Sequence, residues 1–201
     1  MQTASIFDFS QDIVLEDDRA LIRPLELSDH KHLAGFAIHE PEIWKYSLVR
    51  IAGEDDMVKY LSAAVEARAA KKEFPFIIYD KQQQQYAGCT RFYDIQLNYQ
   101  ALSLGYTWYG KQFQGTGLNK HCKLLLFDFA FNAMHMERIE LRADYRNARS
   151  IAAMKGVGCS VEGILRSNMP TFEGPRRDSI VLSVLAEEWR QNLRENLKQK
   201  L

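Results

Sequence analysis

The chain has 201 residues, 46% hydrophobic and 26% charged, the balance of an ordinary globular protein with length for one large domain over 1–201. Lysine plus arginine equals aspartate plus glutamate at 26 each, so the basic field of a nonspecific nucleic-acid binder is missing. No apolar run approaches the ~18–20 residues that span a bilayer, residues 1–18 lack a basic segment followed by an apolar one, and the cysteines, Cys89, Cys122 and Cys159, are dispersed without a C-x-x-C; a reduced cytoplasmic protein without disulfides or a metal site is the simplest reading.

Residues 1–18 read as a loosely held arm or part of a first strand, and residues 18–25 as a strand ending near Pro24. Ser28 is a plausible N-cap for a short helix through Phe36. Pro41-Glu42 opens a helical turn carrying Ile43, Trp44 and Tyr46. Residues 54–72 form a helix, with Met57, Tyr60, Leu61 and Ala64 at helical spacing. Residues 74–79 are a continuous apolar run, expected as a buried strand, and residues 86–94 the second strand of a hairpin. Leu102, Leu104, Tyr106 and Trp108 then alternate with small or polar residues, which predicts a strand with one buried face. Gly105 within it signals a bulge or a close backbone approach.

Next comes Gln112-Phe113-Gln114-Gly115-Thr116-Gly117, leading into the apolar helical run 118–131. A glycine turn between a strand and a helix start is an anion cradle: the first helical N–H groups are unpaired, the dipole is positive there, and glycine lets backbone approach a phosphate. Residues 138–143 alternate again as a strand. A helix runs from about Asn147 to Lys155 and stops at Gly156 to Gly158. Residues 161–165 and 179–185 are the last strands, and 186–201 an amphipathic helix with Trp189, Leu193 and Leu197 at helical spacing. That helix could pack on its own sheet or across a homodimer. Neither G-x-S-x-G nor G-x-G-x-x-G is present.

The spacing Gln112-x-x-Gly115-x-Gly117 resembles the acetyl-CoA motif of the GNAT acetyltransferases. Asp144-Tyr145-Arg146-Asn147-Ala148-Arg149-Ser150, then Gly158, Glu162-Gly163 and Leu165-Arg166, resembles the corresponding block of the RimJ/RimL-like branch, which acetylates ribosomal-protein N-termini. Leu21-Ile22-Arg23-Pro24-Leu25 in front and Arg177-Asp178-Ser179 behind fit the same pattern. The resemblance runs from about Asp18 to Trp189. It implies an α/β (α+β) fold: a mixed, mostly antiparallel twisted sheet of about seven strands with helices on both faces. It also departs from the common pattern. Asn119-Lys120 replaces threonine-glutamate, His121 stands where glutamate is common, and no tyrosine follows Asn147 in its helix to protonate a leaving thiolate.

The activity so implied is acetyl transfer from acetyl-CoA to a primary amine, either a protein N-terminal α-amine or a small-molecule amine, directly within a ternary complex. In this reading the cofactor-binding residues are Tyr106, Thr107 and Trp108 along the pantetheine, and Gln112, Phe113, Gln114, Gly115, Thr116, Gly117, Leu118, Asn119 and Lys120 around the pyrophosphate. Asn147 and Ser150 complete the set; Asn147 binds a pantetheine amide or simply caps its helix, and Ser150 is the candidate proton donor. Glu42, Asp94, His121, Glu140 and Asp144 are candidates by type for a general base, and Trp44, Tyr46 and Tyr60 for an acceptor cleft. The competing reading is a non-catalytic CoA-binding regulatory module on the same fold.

Overall fold

In the computed structural model, which describes residues 7–201, eight strands form one sheet in the order β1-β2-β3-β4-β5-β6-β8-β7. Part of the expected N-terminal arm, residues 1–6, lies outside the described residues. β1 (Leu15–Glu16) pairs antiparallel with β2 (Ala20–Pro24). It falls within the residues read as an arm or part of a first strand, and its two residues are too few to carry a hydrophobic period that would place it. β3 (Phe74–Asp80), β4 (Gln85–Gln96) and β5 (Ala101–Tyr109) follow as an antiparallel meander. β3 is apolar without alternation because both of its faces are covered. Phe74, Phe76 and Ile78 enter one core cluster and Ile77 the other.

β5 and β6 (Arg138–Asp144) are parallel neighbours, and they pair only at Ala101–Arg138, Leu102–Ile139 and Ser103–Glu140. Beyond those pairs the two strands part and leave a fork in the middle of the sheet. On the far side β6, β8 (Arg176–Leu185) and β7 (Ser160–Pro170) are antiparallel. β7 is longer than the expected 161–165 because pairing with β8 carries it past a register shift, to Met169–Arg177.

Helices cover both faces. α1 (His30–His39) and α2 (Glu54–Ala69) bury Leu33, Ala37, Met57, Leu61 and Ala64 against Ile77, Cys89 and Trp108. The other face carries α3 (Leu118–Asp128), α4 (Ala148–Gly156) and a C-terminal segment of α5 (Ala186–Glu188), a π-turn Trp189–Leu193 and α6 (Arg194–Lys198). That segment packs on its own fold. Trp189 is fully buried, its indole N–H donates to Asp128 at 3.0 Å, and Arg194 grips the same carboxylate at 2.7 and 2.8 Å. Ser28 does not cap α1. A 3-10 turn, Leu27–Asp29, precedes the helix, and the buried Asp29 carboxylate accepts from the Glu26 N–H at 2.9 Å while holding Arg23 at 2.6 Å. Asp29 prevails because its charge satisfies a helix entry and a guanidinium together, whereas the Ser28 hydroxyl donates to Glu26.

Candidate active site

The glycine loop stands at the mouth of the fork. Phe113, buried, anchors it against Phe36, and Gln112 donates to Gln85 at 2.8 Å on the outer side. Gln114 Nε2 donates to the Tyr109 carbonyl at 2.7 Å, and Thr116 Oγ1 to the Phe113 carbonyl at 2.8 Å, so side chains fold the turn back on β5. Gly115 and Gly117 have φ of +75° and +94°, left-handed values that only glycine adopts without strain. A Cβ on either would meet nothing within 4 Å, so the space over the loop is open. The N–H groups of Gly115, Thr116 and Gly117 have no hydrogen-bond partner among the described residues, and the Leu118 N–H reaches only Thr116 Oγ1, at 3.5 Å. Free donors, an open cradle and the positive end of an eleven-residue helix fit a pyrophosphate. Asn119 accepts from the Tyr109 hydroxyl at 3.3 Å, and Lys120 turns away to the Lys200 carbonyl at 2.9 Å.

Inside the fork, β5 is bulged. Arg91 faces Gly105 and Cys89 faces Trp108, so β5 spends three steps where β4 spends two. The extra residue shows at Tyr106, with φ of +51°. The expected single buried face over Leu102, Leu104, Tyr106 and Trp108 is therefore broken. Leu102, Leu104 and Tyr109 face α3, Trp108 packs on Trp44 on the α1–α2 side, and Tyr106 is exposed. Both readings of Gly105 hold: it stands at the edge of the bulge, and a Cβ there would lie 2.8 Å from the Tyr93 ring.

Tyr106 belongs to a wall on the α2 side of the fork. The buried Arg91 guanidinium, paired with Glu73 at 2.7 Å, lies 4.1 Å from the Tyr106 ring and 4.9 Å from Tyr60, with Tyr93 edge-on. Burial raises all three phenols, so each is a proton-bearing donor at neutral pH. Tyr46 reaches the same region, where its carbonyl accepts from Arg177 of β8 at 3.1 Å. Trp44 is core rather than cleft, and its indole N–H, like that of Trp108, has no partner among the described residues. On the opposite side of the fork, Asn147 caps α4 by accepting from the Ser150 N–H at 3.1 Å. Arg149 donates to Gln114 Oε1, tying the start of α4 to the glycine loop.

This arrangement has known counterparts. The family description "acetyltransferase (GNAT) domain" matches residues 19–160. The chain belongs to the GNAT acetyltransferase family. It is similar to N-acetyltransferase p20 of Bacillus licheniformis, itself uncharacterized, at 24% identity over 87% of this chain and 97% of that one. Its fold matches a GCN5-related N-acetyltransferase from Brucella melitensis with a TM-score of 0.87 at 19% identity, covering 96% of this chain and 86% of that one. It also matches a ribosomal-protein-S5-alanine acetyltransferase from Vibrio fischeri with a TM-score of 0.72 at 21% identity, covering 89% and 99%. Membership makes the protein an acetyl-CoA-dependent acyltransferase. Among the described residues no helix is long and apolar enough to cross a membrane.

In this acetyltransferase most of the candidate bases are already engaged. Glu42 pairs with Lys111, His121 Nδ1 lies 2.8 Å from Asp17, and Glu140 holds Arg138 and Arg142 at 3.0 and 2.6 Å. Asp144 holds Arg146 at 2.7 Å, and that guanidinium keeps its carboxyl below the usual range. Among the described residues Asp94 accepts only from Gln96, and it lines a polar cavity of about 280 Å³ with Ser103, Glu140 and Arg142, on the face away from α3. The region around the fork also holds residues that sequence reading missed. Arg91, Tyr93 and Arg149 reach the site through strand pairing and loop contacts. Lys123 is buried at 4% exposure on α3, and its only sequence signal was a lysine inside an apolar run.

Proposed function

We propose that this acetyltransferase moves the acetyl group of acetyl-CoA directly to a primary amine in a ternary complex, with a protein N-terminal α-amine as the acceptor. The observation that carries the reading is the fork between β5 and β6, with the unpaired N–H groups of the glycine loop at its mouth and the Tyr106 bulge inside it. Acetyl-CoA supplies the activated thioester. The loop N–H groups from Gly115 to Leu118 would hold its pyrophosphate, with Thr116 and Asn119 shaping the cradle. The edge of β5 from Tyr106 to Trp108, unpaired on the fork side, offers backbone groups to the amide-bearing pantetheine arm. A backbone N–H released by the bulge is suited to polarise the thioester carbonyl. Asn147 and Ser150 would face the arm from α4. The acceptor would enter over Tyr60, Tyr93 and Tyr106.

Direct transfer is favoured because the described residues include no activated nucleophile for an acetyl-enzyme. Burial pushes the Cys122 and Cys159 thiols up to about 12 and raises Cys89 as well, so none is a thiolate at neutral pH. The N-terminal acceptor is supported by the RimJ/RimL-like block around Asn147 and by the fold shared with the Vibrio fischeri enzyme, whose name gives a ribosomal-protein alanine as its target. The ion-paired state of Glu42, Glu140 and Asp144 favours a second reading, a CoA-binding regulator without turnover. Two measurements separate them. Saturating acetyl-CoA should raise the melting temperature through linkage, and free thiol should then appear with N-terminal peptides. Binding without thiol release across peptides and small amines would establish the regulator, and no thermal shift would overturn both.

A further inference from the structure

Among the described residues one buried cation remains without a counter-charge. Among the described residues Lys123 Nζ donates to a single acceptor, Thr107 Oγ1, at 3.3 Å. Thr107 lies in β5 just past the bulge, where β6 no longer pairs, and its hydroxyl meets Thr90 Oγ1 at 2.7 Å. No carboxylate pairs with Lys123 among the described residues. The titratable groups that face it are Cys122 on its own helix and Cys159 between α4 and β7, and burial holds both thiols neutral. An isolated ammonium in an apolar interior is costly unless it answers a negative charge that arises there. Such a charge would arise in the fork, on the sulfur that leaves an acetyl thioester.

We propose that Lys123 is a catalytic residue of this acetyltransferase, donating a proton from Nζ to the CoA thiolate as the thioester C–S bond breaks. The inference rests on the acetyl-CoA reading of the fork given above. The acceptor nitrogen attacks the carbonyl carbon and forms the C–N bond. The C–S electron pair goes to sulfur, and the Nζ proton follows it, leaving CoA as a thiol and Lys123 as a neutral amine. The acceptor nitrogen releases its extra proton to water, and Lys123 takes one back from water. Geometry selects Lys123 over Ser150, because it reaches the bulge side of the fork and carries an ionisable proton, while the Ser150 hydroxyl is a weak acid on the far side. Burial also lowers the lysine to about 8, close to an ordinary thiol near 8.5, so the transfer is nearly matched and the donor is protonated at neutral pH.

The test compares wild type with K123M, K123R and S150A. Wild-type kcat should fall with pH along a limb near 8 as Lys123 loses its proton. K123M and K123R should both lose that limb and on the order of 10²-fold in kcat, with KM for acetyl-CoA little changed, whereas S150A should keep the limb. Arginine is informative because it retains the charge but cannot give up the proton. A second readout needs no turnover. The thiol of bound CoA, followed by its ultraviolet thiolate absorbance, should ionise at lower pH in wild type than in K123M. Unchanged kcat and limb in K123M would overturn the proposal, as would lost acetyl-CoA affinity with kcat intact, or disappearance of the limb in S150A. If wild type releases no thiol with any amine, the transferase reading fails by itself, and the CoA titration still decides whether Lys123 faces the sulfur.

Discussion

Replacing Lys123 by methionine should stabilise the fold at neutral pH and remove a defined part of its pH dependence. Burial lowers the lysine from 10.5 to about 8, which corresponds to about 3 kcal/mol of penalty on the ammonium form. The unfolded chain keeps this proton up to 10.5 and the folded chain gives it up near 8, so between those values the unfolded state binds more protons and stability rises with pH. Below 8 the full penalty applies, and above 10.5 it has gone. Methionine fills a similar volume without charge, at the cost of one donor to Thr107, worth about 1 kcal/mol. K123M should therefore be about 2 kcal/mol more stable at neutral pH, and this advantage should vanish in strong base. Cys122 and Cys159 act in the opposite sense: held near 12 in the fold, they contribute stability that fades above 9. The charge on Lys123 pulls both down, so the difference between the two proteins is read below 9, before either thiol ionises in the unfolded chain. Urea denaturation of wild type and K123M across this range measures it. A K123M protein less stable at neutral pH, or a stability difference that does not change with pH, would refute the unpaired burial of Lys123.

Gly117→Val forces a β-branched residue to φ of +94° and places a side chain over the open loop. It should cost about 1–2 kcal/mol and abolish the acetyl-CoA thermal shift; a retained shift would remove the loop from the pyrophosphate site. Asp128→Ala leaves the buried Trp189 indole N–H and Arg194 without their shared acceptor, so denaturation should show a loss of about 2–3 kcal/mol, and a neutral effect would mean that the C-terminal segment is held by packing alone. Arg138, with help from Ser183, holds the Glu162 carboxyl down at about 2 against 4.5 when unfolded. Its contribution is complete above 4.5 and lost as pH falls toward 2, so E162Q should flatten the acid limb of stability, and an unaltered limb would place that pH dependence elsewhere.

What the sequence determined by itself is short-range. Gly115 and Gly117 declare a left-handed turn between a strand and a helix, because the turn chemistry lies in the residues themselves. Asn147 caps α4 for the same local reason. The continuous apolar run of β3 reads as a strand covered on both faces, and the order of strands and helices follows from hydrophobic periods within each segment. Tertiary structure decided the rest. The alternation of residues 102–108 reads as one buried face, but a bulge set by pairing with β4 exposes Tyr106 and turns Trp108 to the other core. Ser28 has the chemistry of a cap, but no side chain caps α1, and the Asp29 carboxylate closes the preceding 3-10 turn at the Glu26 N–H while it holds Arg23 of the neighbouring strand. The fork exists because β6 leaves β5 after Ser103, which no property of either strand alone foretells. Lys123 looks like a solvated helical lysine until α3 is laid against the sheet with Cys159 beside it. Burial and an absent counter-charge are properties of assembled layers, and there the chain holds the group that we assign to the chemistry.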